Sequence, residues 1–173
     1  MNELRHYDHA ATRFYGAQNI KSLPLNSWDY YSDHYETVLK FSEDIVLLKK
    51  LAIDHKWDTS LRIEDELLRK KHVVVVTNEH LQIVHTSHNM IYMNGYTAKE
   101  VVGNSPKMFQ GKGTCAKTKT YIANAIKARK SFEAVVLNYR KNGSAYKCWI
   151  KGHPIFNTEN DIVHFIAYEK EVA

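Results

Sequence analysis

Histidine pairs are the first residues of this sequence whose spacing could support chemistry. The chain has 10 histidines among 173 residues, and His6 and His9, like His85 and His88, are three positions apart. Two histidines at this spacing can share one helix face and bind a metal ion, but a zinc site needs a third protein ligand. The sequence places no third ligand, so we expect surface histidines and no metal site. It also lacks an HExxH motif, a P-loop and a nucleophile elbow, so we expect no enzyme.

The two cysteines, Cys115 and Cys148, are too few for a disulfide framework. Cys115 lies between Lys112 and Lys117 at the start of a predicted helix, where positive charge lowers the pKa of a thiol and favours its oxidation. Cys148 lies in a predicted strand and is interpreted as a small apolar packing residue. An unreactive thiol is the simpler interpretation of Cys115, with redox sensing as the alternative.

The charge of the chain is mildly positive, with 24 Lys and Arg against 19 Asp and Glu. One segment holds a cluster of these basic residues: Lys112, Lys117, Lys119, Lys127, Arg129 and Lys130. No aromatic platform or recognition helix accompanies them, so nucleic-acid binding is disfavoured. No apolar run approaches the ~20 residues of a membrane span, and the N-terminus has no signal-peptide core. We therefore expect a cytoplasmic protein without membrane contact.

The N-terminal part of the chain is predicted to be an irregular arm over residues 1–26 and a helical extension over residues 27–71. Ser27 is a candidate N-cap. Apolar residues then recur every three or four positions, which predicts a long amphipathic helix: Trp28, Tyr31, Tyr35, Val38, Phe41, Ile45, Leu48 and Ala52. Asp58, Thr59 and Ser60 can begin a second helix, predicted over Leu61–Lys71.

The remaining residues, 72–173, are predicted to form one domain that mixes strands and helices. The β-branched run 73–77 predicts a buried strand, and residues 81–85 its hairpin partner. A helix is predicted over 114–129, with an inward face formed by Tyr121, Ile122, Ala125 and Ile126. Strands are predicted over 132–140, 146–155 and 162–168, the first two joined by an Asn142-Gly143 turn. The short connections favour an antiparallel sheet with helices on one face.

Four sequence blocks within residues 73–171 resemble the PAS domain family, and specifically its LOV-like branch. These blocks are Asn94–Thr97 with Glu100–Gly103, Pro106–Gly111, Leu137–Gly143 and His164–Tyr168. The resemblance implies an α+β PAS fold, in which a five-stranded antiparallel sheet carries short helices on one face. Here an N-terminal helical extension would precede that fold. The resemblance also implies sensing or protein interaction rather than catalysis.

LOV domains that this sequence resembles bind a flavin and form a photo-adduct through a cysteine in the motif Gly-x-Asn-Cys-Arg-Phe-Leu-Gln. The corresponding stretch here is 103–110, and Pro106 occupies the cysteine position. The resemblance therefore implies that no cysteine adduct forms at this position. Haem-binding PAS domains often use a histidine on the long helix, and residues 114–129 contain none.

The resemblance also points to five ligand-binding positions: Lys107, Gln110, Asn138, Cys148 and Glu169. Lys107 replaces one phosphate-binding arginine and Ala123 a second, while Cys148 and Glu169 replace an asparagine and a glutamine of the flavin site. Because lost partners leave buried groups unpaired, flavin is disfavoured and the cofactor stays unassigned. A purely structural role is the alternative for Gln110 and Asn138, through bonds to the backbone or between strands.

We interpret the chain as a stand-alone sensory or regulatory PAS protein in signal transduction. It would act through small-ligand sensing or protein–protein interaction, without cysteine-adduct photochemistry, and its signalling partner is not specified. The helical extension is predicted to form a homodimer, with helix Leu61–Lys71 at the position that PAS dimers use, or else to cap its own sheet. One alternative is a ligand-free interaction module whose pocket is filled by Met108, Phe109 and Trp149. Others are a flavin-binding sensor and a nucleic-acid-associated factor.

Overall fold

A computed structural model describes Arg13, residues 26–58 and residues 61–173, with side chains in the first helix described from residue 35 onward. Apart from Arg13 and Asn26, which are helical, the predicted irregular arm lies outside these residues. Ser27, Trp28 and Tyr31 belong to the described backbone, but their side chains, and with them the predicted Ser27 cap, are outside the description. Helix α1 spans Asn26–Asp54 and confirms the long N-terminal helix. The described residues up to Val38 belong to one compact unit, and Leu39–Ala173 belong to another.

A π-helical turn, Asp65–Arg69, stands where the second helix was predicted. It is followed by strands β1 (Val73–Asn78) and β2 (Ile83–Thr86), helices α2 (Met90–Asn94) and α3 (Ala98–Val101), and a 3-10 turn (Pro106–Phe109). Helix α4 (Ala116–Lys127) and strands β3 (Phe132–Tyr139), β4 (Ala145–Phe156) and β5 (Ile162–Val172) complete the chain. The π turn forms because the Lys70 N–H donates to the Asp65 carbonyl at 3.0 Å, five residues back.

The five strands form one sheet in the order β2-β1-β5-β4-β3, and every neighbouring pair is antiparallel. This confirms the predicted fold class. Successive side chains of a strand point to opposite faces. Val73 and Val75 therefore pack with one hydrophobic cluster, and Val74 and Val76 with another. All four valines are buried, so both faces of the sheet are covered at β1.

The face that carries Val74 and Val76, here called the outer face, packs against α1. Phe41, Ile45 and Leu48 of that helix join a cluster that also includes Ile166, and Leu48 is fully buried. Ile63 and Leu67 beside the π turn belong to the same cluster. The inward side of the extension therefore caps its own sheet, as the alternative interpretation anticipated.

Polar contacts hold α1 at one point within the helix and at another just after its end. The Asp44 carboxylate accepts hydrogen bonds from the backbone N–H of His88 at 2.9 Å and from its Nδ1 at 2.8 Å. Just beyond the helix, Trp57 Nε1 donates to His164 Nδ1 on β5 at 3.1 Å, and its backbone forms a bridge with Asn157. The helix is thus fixed to both β5 and the segment after β2.

The opposite face of the sheet, here called the cavity face, carries α2, α3, the 3-10 turn and α4. A reciprocal capping box between Thr97 and Glu100 begins α3. Helix α4 is shorter than the predicted 114–129, and none of its residues is buried. The prediction that Tyr121 faces inward is wrong, because its side chain is exposed. No helix in the described part of the chain is long and apolar enough to cross a membrane.

Candidate functional site

A cavity of about 630 Å³ lies between α4 and the cavity face of the sheet. Small-molecule sites usually have volumes of about 300–1,000 Å³, so this space is large enough for a ligand. Ile122 and Ile126 contribute to its wall from α4 while remaining only half-buried. Apolar residues of the sheet complete much of the wall: Val75, Phe132, Val136, Ile150 and Phe165.

A close contact between β3 and β4 forms part of the cavity wall. Gly152 pairs with Phe132 of β3, and a Cβ built at Gly152 would come within 2.4 Å of the Phe132 ring. Only glycine therefore lets this ring lie across β4 as part of the cavity wall. Of the side chains proposed to fill the pocket, Phe109 is buried in the wall, whereas Trp149 packs with the outer-face cluster.

Gln110 and Asn138 both line the cavity, and their backbones form an isolated antiparallel bridge. This bridge joins the segment after the 3-10 turn to β3. Asn138 is buried and Gln110 is half-buried. Each amide can donate and accept hydrogen bonds. The backbone bridge is structural, and the two side chains remain able to meet a ligand.

Glu169 and Cys148 are brought together on neighbouring strands, but only Glu169 lines the cavity. The Cys148 Sγ lies 3.7 Å from Glu169 Oε2, and its side chain is fully buried. Burial raises the pKa of the Glu169 carboxyl to about 7. Burial, reinforced by the nearby Glu169, also raises the pKa of the Cys148 thiol, which favours the protonated form.

Three lysines line the cavity from its helical side: Lys107 of the 3-10 turn and Lys119 and Lys127 of α4. Lys119 and Lys127 lie one turn before and one turn after Ala123, which also lines the cavity. In the sequence analysis, Ala123 stands where the resemblance expects a second phosphate-binding arginine, so the sequence predicts that a positive charge is missing there. The structure places two exposed lysines in the lining, one turn to either side of Ala123, and this removes one ground for disfavouring a phosphate-bearing ligand.

Pro106 lines the cavity as the first residue of the 3-10 turn, and neither cysteine of the chain contributes to the wall. Cys115 is exposed and occupies the N-cap position of α4. The backbone and side chain of Thr118, followed by Lys117, lower the pKa of its thiol. Hydrogen bonds from Thr118 therefore lower this pKa more than the predicted lysine charges, of which only that of Lys117 takes part. The Cys115 thiol does not line the cavity.

Two buried polar residues next to this site were missed by sequence reasoning. Asn94 is fully buried, and its backbone carbonyl accepts from the Lys141 N–H at 2.9 Å. Tyr146 is also buried, with the Arg140 guanidinium 4.6 Å from its ring centre. Burial raises the pKa of the Tyr146 hydroxyl. Asn94 belongs to one of the resemblance blocks, which was the only signal for either residue.

The prediction of surface histidines is wrong for His85 and His88, whose side chains are only 14% and 18% exposed. His72 and His164 are also buried. His85 and His88 both approach Asp44, with His85 Nε2 3.8 Å from its carboxylate. His6 and His9 lie outside the described residues. Among the described side chains, no group of three or more His, Cys, Asp or Glu is placed to hold a metal ion.

The sequence profile of the PAS domain family matches residues 71–172. The chain belongs to the PAS domain family. Protein TWIN LOV 1 of Arabidopsis thaliana is 30% identical over 120 residues, which cover 66% of this chain and 30% of that protein. A blue-light-activated histidine kinase of Brucella ovis is 32% identical over 104 residues, or 57% of this chain and 21% of the kinase. The chain thus spans less than a third of these relatives.

The fold of this PAS domain is also that of solved light-oxygen-voltage domains. One of them, from a structural study of a flavin analogue, has a TM-score of 0.61 at 21% identity, covering 66% of this chain and 87% of that one. The PAS domain described here is therefore LOV-like, of the sensory kind that occurs in signal-transduction proteins.

Proposed function

We propose that this PAS domain is a regulatory sensor that binds a planar heteroaromatic ligand with an anionic tail, and that it catalyses no reaction. Flavin mononucleotide is the first candidate, because relatives are named for blue-light activation or LOV domains. The observation that carries the proposal is the cavity under α4, which combines apolar walls, sheet-borne polar groups and helix-borne lysines.

The residues present fit a flavin in kind. Gln110 and Asn138 offer amide donors and acceptors for a polar ring edge. Lys107, Lys119 and Lys127 offer positive charge for a phosphate. A bound flavin would supply absorption of blue light and electron exchange, while the protein would bind the ring and exclude water.

The direct test compares flavin mononucleotide with riboflavin, which lacks the phosphate. We expect the nucleotide to bind at least about tenfold more tightly, measured by quenching of flavin fluorescence. Replacing Lys107, Lys119 and Lys127 together by Gln should remove this difference. The matched control replaces Lys99, Lys112 and Lys130, which do not line the cavity, and should preserve it. Absence of binding by both flavins would reject the proposal.

We further propose that the domain works without a cysteine adduct. Pro106 at the expected position and the absence of both thiols from the cavity wall support this. Blue light should therefore leave no long-lived loss of the flavin absorption band in protein loaded with flavin mononucleotide. A reversible loss that disappears in Cys148→Ala or Cys115→Ala would show that a thiol reacts after all.

A homodimer through the outward side of α1 is the third part of the proposal. Leu39, Val46 and Ile53 are exposed, and they recur every seven residues along the helix. Apolar side chains with a seven-residue spacing form the contact line between paired helices. This spacing favours α1 of a second copy as the partner of the exposed side. The π-turn segment is less suited to this role than predicted, because Ile63 and Leu67 are buried against the sheet.

Sedimentation of the full chain tests the dimer. We expect wild type to sediment as a dimer and Val46→Glu to sediment as a monomer, because a charge would then lie in the seam. Val102→Glu changes another exposed valine, distant from α1 in sequence, and should remain dimeric. A wild-type monomer at all concentrations would exclude the homodimer. The cytoplasmic location and the disfavoured nucleic-acid binding stay predictions from the sequence.

A further inference from the structure

Glu169 is a carboxyl group in the cavity wall that has no cationic partner among the described residues. It is 4% exposed, and the contact that the structure shows for its side chain is Cys148 Sγ at 3.7 Å. The neighbouring acid on β5, Glu171, differs because it is partly exposed and pairs with Arg140 at 2.5 Å. The lysines of the cavity wall stand on the helical side and form no ion pair with Glu169.

An ionised carboxylate in such a place is costly, because burial removes its hydration without supplying an opposite charge. Its titratable neighbours on β4, Cys148 and Tyr146, also favour their protonated forms, since burial raises both pKa values. Glu169 is therefore the group of this strand cluster that changes charge near neutral pH. When protonated, its carboxyl has an O–H that can donate to an acceptor in the cavity.

We propose that Glu169 determines ligand specificity as a neutral hydrogen-bond donor, so that the cavity prefers ligands with a ring acceptor and binds them together with one proton. This inference rests on the proposed function, because it requires a ligand in the cavity. Ionised Glu169 turns its donor into an acceptor and adds a buried negative charge, and both changes weaken binding. The Cys148 thiol contributes by donating to Oε2, which directs the remaining O–H elsewhere.

Riboflavin is the probe for this inference, because it has no phosphate whose ionisation would complicate the pH dependence. Its dissociation constant is measured from about pH 6 to about pH 9 by fluorescence quenching in the full chain. In wild type the affinity should fall as pH rises, approaching about tenfold per pH unit above about pH 7. Glu169→Gln keeps a neutral donor of similar size and should bind with little pH dependence.

Glu171→Gln is the matched control and should follow the wild-type curve, since it removes an acid two residues away on the same strand. Parallel curves for wild type and Glu169→Gln, with clear binding in both, would overturn the inference while leaving the proposed function intact. Binding by neither protein at any pH would remove both. At about pH 9, tighter binding by Glu169→Gln than by wild type is the result that supports the proton-linked donor.

Discussion

The two faces of the sheet are covered by helices in very different ways. On the outer face, α1 inserts Phe41, Ile45 and Leu48 into a closed cluster. On the cavity face, α4 contributes no buried residue and stands over about 630 Å³ of space. Both helices are amphipathic, so the same kind of sequence pattern produces a packed layer on one side and a wall of a cavity on the other.

This difference separates stability from ligand binding within one small domain. Closely packed apolar side chains contribute most of the free energy of unfolding, whereas a cavity leaves its lining groups without those contacts. We therefore expect apolar substitutions on the outer face to change stability mainly, and apolar substitutions on the cavity face to change binding mainly. Leu48 and Ile122 test this contrast, and Glu169 tests the exception, an ionisable group buried on the cavity face.

Leu48→Ala should have the largest effect, because it removes a fully buried side chain from the outer-face cluster. We expect a loss of about 3–4 kcal/mol in the free energy of unfolding, measured by urea denaturation. Leu47→Ala changes the adjacent, exposed residue and should alter stability by about 0.5 kcal/mol or less. Equal losses in the two variants would show that α1 does not pack on the sheet in solution.

Glu169→Gln should change how stability depends on pH. The folded-state pKa of Glu169, about 7, lies above the ordinary value of 4.5, so the folded protein holds this proton more tightly than the unfolded chain. Its contribution is fully present below about pH 4.5 and is lost as pH rises through about 7. Wild type should therefore lose about 3 kcal/mol relative to Glu169→Gln across that window. A constant difference, measured by denaturation at each pH, would contradict this.

Ile122→Ala should have the smallest effect on stability, because this residue of α4 is half-buried and faces the cavity. We expect a loss of about 1 kcal/mol or less in urea denaturation. Riboflavin binding should weaken several-fold, because the ligand loses an apolar wall contact. If Ile122→Ala instead destabilises the protein as strongly as Leu48→Ala, α4 packs directly on the sheet and the cavity is closed.

Strands were easier to predict than the cavity, for a physical reason. Four consecutive valines and an Asn-Gly turn report local conformational preferences, and the structure has β1 and a hairpin there, with Gly143 at a φ of +84°. The register of that hairpin then places Asn138 opposite Tyr146. Gln110, Asn138 and Glu169 were predicted as ligand-binding positions only from the family resemblance, because no local sequence pattern marks them as a group.

Lys119 and Lys127 show what sequence patterns miss. Periodicity assigns lysines to the solvated side of a helix, and this would be correct for a helix packed like α1. A helix that borders a cavity has no tightly packed side, so its lysines and Ala123 share one wall. Trp149 shows the converse, because the face of a strand residue is known only after its register is fixed, and β4 places it on the outer face.

The cover that α1 provides has a practical consequence for anyone who trims this protein. The family profile begins at residue 71, yet the compact unit begins at Leu39. A fragment cut at the profile boundary would leave Val74, Val76 and Ile166 as a bare apolar surface. Such surfaces associate without specificity. Oligomers of that fragment would therefore result from the uncovered sheet face and not from the native assembly.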